Sequence, residues 1–316
     1  MNNLAIVILN WNGDQMLHRC VTSAVAEFSS SDIWVIDNNS TDNSVQKTIT
    51  DFPNIHCIRL EKNFGFAEGY NRGLIEILPK YSFVLLLNND TIIQPSFGDS
   101  LRRAIASLAP EEGMIALKMV KYPAQVIDNF GLVLHPSGLG FNAKDATLPI
   151  VCPSGGAAVY RTRVLQESIE RTGEIFDADF KFYNEDLDLG LRVRIAGWRC
   201  AQYTDIAVLH AHGASMTKQG NTFGLYYQQR NQLWCILKNY SNRWLLVYGW
   251  QVIALQLAQI FYHVVRGHGL TILRAKWDSL IGIRRMLRKR RWRQSVPNRQ
   301  EVLLAPSWSL VRLWRA

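Results

Sequence analysis

Two phosphate-binding signatures are missing from this sequence of 316 residues. No GxGxxG follows its first apolar run and no GxxxxGK[ST] occurs anywhere. Those absences argue against a dinucleotide-dependent dehydrogenase and an ATPase. Cysteine is sparse: Cys20, Cys57, Cys152, Cys200 and Cys235 are scattered and form no CxxC pair. Neither a zinc knuckle nor a disulfide framework is suggested, and reduced thiols in a cytoplasmic protein are expected. The opening residues lack a basic region, and the apolar run Leu4–Leu9 is only six residues long. It reads as a strand rather than a signal peptide or an anchor. Internal repeats and low-complexity linkers are also missing. Acids are scarce in one stretch, because ten Lys or Arg residues lie between Arg266 and Arg293 against the single acid Asp278. The net charge of +9 is therefore concentrated there, and the remainder is close to balance.

What is present is a folding chain, with 48% hydrophobic and 19% charged residues. Its first hundred residues alternate short apolar runs (4–9, 33–36, 55–60, 83–87) with helical patterns (about 15–26 and 67–77). Repeated strand–helix–strand units predict a mostly parallel, Rossmann-like sheet with helices on both faces. Ligands of such sheets sit at the carboxyl ends of the strands. Polar clusters fall there: Asn10-Trp11-Asn12, Asp37-Asn38-Asn39, Asn63 and Asn88-Asn89-Asp90. Further on, a helix to about 108, strands at 115–120 and 155–160, a helix at 185–196 and a strand at 199–203 are expected.

Each motif has a functional and a plain structural account. Asp90, after five apolar residues, can hold a divalent cation or simply cap a turn. Gly65, Gly69 and Gly73 recur every four residues on one helix face, which suits a ligand's approach or close helix–sheet packing. Flanking Asn63 and Asn71 favour the ligand. Glu185, Asp186 and Asp188 open a helix and complement its dipole, and one of them can act as a general base. Asp188 should face elsewhere on the helix, which leaves Asp186. His210 and His212 precede a Gly/Ser loop, where a ligand or phosphate contact competes with an ordinary surface role.

Taken in order, these motifs resemble glycosyltransferase family 2, and within it bacterial rhamnosyltransferase-like enzymes of polysaccharide assembly. The likeness runs from Ile6 to about Asn239. Its pieces are residues 7–12, 35–42 and 63–67, Asn71-Arg72-Gly73, residues 86–90 and 184–188, and His210 with Gly213 and Ser215. The resemblance implies a GT-A type nucleotide-diphospho-sugar transferase fold, divided into a catalytic domain 1–239 and a C-terminal region 240–316. Within the catalytic domain the donor-binding half is 1–110 and the acceptor-binding half 111–239. It implies that Asp37 recognises the nucleobase and that Asn10 and Asn12 line the nucleoside pocket, with Asn89 on the same nucleotide side. Asn63, Gly65 and Asn71 would close over the nucleotide. Asp90, with His210 nearby, would meet a Mg²⁺ or Mn²⁺ ion, and Asp186 in the pair Glu185-Asp186 would be the base. Asn88 stands where many members carry an Asp, so the metal rests on one carboxylate plus the donor phosphates. The expected reaction is inverting transfer of a sugar from dTDP-L-rhamnose, or from a UDP-sugar, to a glycan or polyprenyl-diphosphate-linked acceptor.

A nucleotidyltransferase would need a glycine- and arginine-rich loop after the first strand, and Asn10–Asp14 offers none. A catalytically inactive nucleotide-sugar-binding scaffold is favoured only by Asn88 and opposed by Glu185-Asp186. The tail begins with an apolar stretch, 244–265, nearly long enough to span a bilayer but interrupted by Gln251, Gln256, Gln259 and His263. Trp250, Trp277, Trp292 and the basic run 284–293 suit an anionic membrane surface. An amphipathic segment lying peripherally on the inner face of the cell membrane is the expectation, against a helix packed on the catalytic domain or a true span. The basic run also suits nucleic acid in charge, but no base-reading fold accompanies it.

Overall fold

A computed structural model describes residues 3–211 and 221–296. The first half forms as expected: β1 (Leu4–Asn10), α1 (Asp14–Val25), β2 (Ile33–Asp37), α2 (Ser44–Asp51), β3 (His56–Arg59), α3 (Gly65–Ile77) and β4 (Phe83–Asn88). There follow β5 (Thr91–Ile93), α4 (Phe97–Ala106), β6 (Glu112–Lys121), β7 (Val126–Asn129) and a β8–β9 hairpin (Leu132–Leu134, Gly140–Asn142). Then come β10 (Ala157–Arg161), α5 (Thr162–Thr172), α6 (Glu185–Ile195) and β11 (Arg199–His210). The C-terminal part is helical: α7 (Asn221–Asn239), α8 (Asn242–Val265), α9 (Gly269–Ile281) and α10 (Ile283–Lys289).

The nine-stranded sheet runs β3-β2-β1-β4-β10-β6-β11-β5, with β7 beside β6. Four pairings are parallel, and β10 lies antiparallel to both β4 and β6. The expectation of a mostly parallel sheet thus gives way to a mixed one. Parallel neighbours need a crossover, usually helical, that returns the chain to the same edge. The 122–156 excursion carries the β8–β9 hairpin instead and delivers β10 from the opposite end. The strand expected at 199–203 extends to His210, with a register shift between Tyr203 and Ala207.

The sheet is buried on both faces. Ile6, Ile8, Val35 and Leu85 pack against α1 and α4, while Val7, Ile36, Leu86 and Tyr160 pack towards α3 and α6. The second core continues without interruption through Trp234 of α7 to Trp244, Met286 and Trp292 of the C-terminal part. A buried ionic network strengthens this junction. Lys238 (Nζ) reaches Asp177 at 2.7 Å and Asp188 at 2.8 Å, and Asp188 also receives Arg192 at 3.0 Å. Lys289 of α10 ties to Glu174, Asp177 and Asp179. Asp188 is therefore taken up in this ionic network, a structural role, and is held apart from Asp186.

Candidate functional site

A cavity of about 750 Å³ opens at the carboxyl ends of β1, β2 and β4. That volume falls within the ~300–1,000 Å³ typical of small-molecule sites. Its floor at this end is Leu9, Trp11, Asn38 and Asn88-Asn89-Asp90; across it lie Gly155-Gly156 and the start of α6.

The residues expected around the nucleotide divide into two groups. Asn63, Gly65 and Asn89 line the cavity. Asn10, Asn12, Asp37 and Asn71 lie outside its lining and brace the loops that form it. Asn10 is fully buried, donates to the Ser40 and Ser44 hydroxyls, and accepts from the Asn89 side chain at 2.7 Å. Asp37 accepts from the Ser40 amide, and Asn12 accepts from the Thr41 amide. Asn71 makes a two-way bond with the Phe176 backbone, donating to its carbonyl at 2.7 Å and accepting from its amide at 2.8 Å. Asn38 organises the wall between them: it donates to Asn63 and the Gly65 carbonyl and accepts from the Phe64 amide.

Asp90 sits at the end of β4, nearly buried, with His210 (Nε2) 3.3 Å from its Oδ1. The other imidazole nitrogen lies 3.4 Å from Asp128 (Oδ2) on β7. Burial lowers the imidazole's pKa, but hydrogen bonds and charge from Asp128 and Asp90 outweigh this and lift it to about 9. The ring separates the two carboxylates, so they do not converge on one point. Among the described residues no three His, Cys, Asp or Glu side chains form a ready-made metal cage. A cation here would rest on Asp90 and, once the imidazole gives up the proton it shares with that carboxylate, on His210, and would need oxygen ligands from the donor, which agrees with Asn88 replacing an acid. His212, Gly213 and Ser215 lie outside the described residues.

Asp186 opens α6 on the opposite wall. Its carboxylate accepts from the amides of Gly155 at 2.9 Å and Leu187 at 2.8 Å and borders the cavity. Burial raises its pKa, opposed by these amide bonds. A carboxylate so placed is a better proton acceptor than a surface one, because its pKa moves towards that of its working medium. Gly155 leaves a side chain little room: a Cβ there would lie 3.2 Å from the Asp186 carboxylate and 3.3 Å from the Phe66 ring. Glu185 is buried beside it. Burial, then the neighbouring Asp186 and Asp188 charges, pushes its pKa well above the ordinary value. Its Oε2 has no hydrogen-bond partner among the described residues.

The approach to α6 is strained. Lys181, Tyr183 and Asn184 all hold positive φ (62°, 64°, 66°), a region that costs non-glycine residues of order 1–3 kcal/mol each. Asn231 of α7 compensates, being fully buried and donating to the carbonyls of Phe180, Phe182 and Tyr183 at 2.7–2.9 Å. From the other side, the amides of Phe66 and Ala67 donate to the Lys181 carbonyl. Asn231 has no local sequence signal, since its partners are about fifty residues away. Asp128 was hidden for the same reason.

The family model of glycosyl transferase family 2 matches residues 5–168, more than half of the chain. A search of curated proteins found no match. Among solved structures, the chain is similar to TarS 1-349 of S. aureus in complex with UDP-GlcNAc (16% identity, TM-score 0.56, 93% of this chain and 91% of that one). It spans only 40% of a longer S. aureus TarS structure. It also resembles GalNAc-T7 with UDP, GalNAc and Mn²⁺ (13%, TM-score 0.57, covering 77% and 49%). A third likeness is to the mannosyltransferase PcManGT from Pyrobaculum calidifontis with GDP-Man and Mn²⁺ (12%, TM-score 0.50, covering 99% and 88%). At these identities the structures speak to the GT-A fold, and the family model speaks to the class of chemistry. The chain belongs to glycosyl transferase family 2 and is a glycosyltransferase.

Proposed function

We propose that this glycosyltransferase inverts the anomeric centre and transfers L-rhamnose from dTDP-L-rhamnose to a lipid-linked glycan at the inner face of the cell membrane. The observation that carries the mechanism is the placement of Asp186 across one cavity from Asp90. Asp186, held by two amides, takes the proton of the acceptor hydroxyl as its oxygen attacks the anomeric carbon. The bond to the donor diphosphate breaks on the opposite side, which inverts the configuration. Asp90 and His210 would hold a Mg²⁺ or Mn²⁺ ion, which neutralises charge on the diphosphate when bound. Asn38, Asn63, Gly65 and Asn89 define the donor end, with Asp37 and Asn10 setting its loops.

Rhamnose rests on the sequence likeness. The UDP-sugar reading is supported by the fold shared with TarS, which was crystallised with UDP-GlcNAc. Thermal shifts with dTDP, UDP, GDP and CDP, each with and without Mn²⁺ or Mg²⁺, separate the two. A ligand at about 100 times its dissociation constant adds roughly 2.7 kcal/mol. A metal-dependent shift with dTDP alone supports the rhamnose donor, and one with UDP alone transfers the reading to a UDP-sugar. No shift with any diphosphate overturns the donor assignment.

Membrane placement is supported by α8, the one described helix long and apolar enough to cross a bilayer (mean hydropathy 1.4). Its inward face carries Val252, Gln256 and Gln259, which engage the protein body. That engagement favours a helix lying on the membrane over one crossing it.

A further inference from the structure

Lys276 of α9 is almost fully buried, and no carboxylate among the described residues pairs with it. Its Nζ instead faces amide oxygens: Gln229 side chain at 2.8 Å and carbonyl at 3.3 Å, Gln256 at 2.6 Å and Gln259 at 3.1 Å. Burying an ammonium costs several kcal/mol even after relaxation unless an anion accompanies it. Neutral amides only partly replace water. Burial accordingly lowers the lysine's pKa to about 7.

This cluster lies against the cavity. Gln229, Gln232 and Gln259 line the cavity, and Gln256 donates to Gln232. On their outer faces the same two helices are apolar: Trp250, Ile253, Leu257 and Phe261 on α8, Leu273 and Trp277 on α9. A cation without a counter-charge thus stands between a sugar-transfer cavity and a greasy surface.

We propose that the Lys276–glutamine cluster is the binding site for the phosphate or diphosphate group of a lipid-linked acceptor, whose hydrocarbon chain lies along the apolar faces of α8 and α9. This inference rests on the proposed lipid-linked acceptor and assigns its recognition to particular side chains. The phosphate replaces amide oxygens around Nζ, restores a counter-charge to the buried ammonium, and places the sugar hydroxyl towards Asp186. Lys276 is a binding and specificity residue and takes no part in proton transfer.

The test measures binding to the full chain in detergent micelles by tryptophan fluorescence, with the donor end filled by saturating dTDP or UDP and Mn²⁺. Probes are farnesyl diphosphate, farnesol and inorganic pyrophosphate. Farnesyl diphosphate should bind at least tenfold more tightly than either of the others. Lys276→Met should lose that preference while Lys276→Arg keeps most of it, both with wild-type nucleotide thermal shifts. Gln259→Ala, which leaves the lysine in place, should weaken the diphosphate probe by a smaller factor and serves if Lys276→Met fails to fold. Equal binding of farnesyl diphosphate by wild type and Lys276→Met overturns the proposal. So does wild-type binding of pyrophosphate as tight as that of farnesyl diphosphate. Loss of nucleotide shifts in the wild type would instead strike the donor assignment, leaving this comparison readable without nucleotide.

Discussion

The donor-side sheet and the C-terminal helices distribute their residues in opposite ways. In β1, β2 and β4 the apolar side chains point inward, with Ile6, Ile8, Val35 and Leu85 fully buried, and polar groups gather at the strand ends. In α8 and α9 the polar groups Gln256, Gln259 and Lys276 turn inward, while Leu246 (86% exposed), Trp250 (68%) and Phe261 (73%) point out. A contiguous apolar surface of that kind marks an interaction face. The contrast teaches that hydrophobicity alone does not define a core. The cavity lies where the two regions meet.

The sharpest separation of chemistry from scaffold comes at Asp186. Asp186→Asn keeps one of the two amide contacts through its remaining oxygen, loses the other because its NH₂ cannot accept, and loses the basicity. Turnover should fall by about 10²–10⁴ with nucleotide thermal shifts unchanged. Near-full turnover would remove Asp186 from its proposed role.

Next in size is the buried junction joining the two regions. Lys238→Met leaves Asp177 and Asp188 buried without that cation. Breaking a buried pair on one side costs about 3–5 kcal/mol, read by urea unfolding. Its pH dependence has a definite sign. Burial would raise the pKa of Asp177, but Lys238 and Lys289 outweigh this and hold it well below the ordinary carboxylate value. The stabilisation it brings is present above an unfolded pKa near 3.9 and is lost as pH falls below that. The wild type's own stability should therefore fall as pH drops below about 4, and that of Lys238→Met should fall less over the same range. A loss independent of pH down to pH 2 would contradict the ion-pair account.

Asn231 tests whether α7 belongs to the catalytic half. Asn231→Ala removes donors to three backbone carbonyls, and leaving buried groups unsatisfied costs about 1–3 kcal/mol. Turnover should fall more than that stability loss explains, because the strained residues before Asp186 are released. A stable variant with wild-type turnover would reduce Asn231 to a packing residue.

These positions also mark what was legible in the sequence. Strands β1, β2 and β4 are nearly continuous apolar runs bounded by polar clusters, so their position, order and ligand-bearing ends follow from local pattern. Asp90, Asp186 and His210 could be singled out because each lies at an element's end. Asn10 and Asn71 could be seen as notable, but the bonds they make, to Ser40, Ser44 and the Phe176 backbone, depend on chain segments 30 to 105 residues away. The reversal of β10 was invisible for a related reason. Strand direction is set by the path of the intervening 122–156 segment, whose short pieces carry little periodicity. In the tail, the glutamines interrupting 244–265 were evident; that they converge on Lys276 was not, because that requires the α8–α9 turn at Gly267.

The smallest expected effects test the outer face itself. Trp250→Gln and Phe261→Gln place amides on a surface that already faces outward, so they should leave thermal stability within about 0.5 kcal/mol. If that surface rests on lipid, each should weaken partition into vesicles containing phosphatidylglycerol by roughly five- to tenfold, as expected from losing about 1–1.5 kcal/mol of apolar burial. Arg284→Gln and Arg288→Gln, both on the exposed side of α10, should each cost about 1 kcal/mol. Added salt should diminish the arginine effects, since anionic attraction is screened within a Debye length. Salt should leave the aromatic effects in place. Vesicle binding unaffected by all four substitutions would mean that the apolar rows of α8 and α9 meet a protein surface, and the inside-out pattern would then describe an interface between chains.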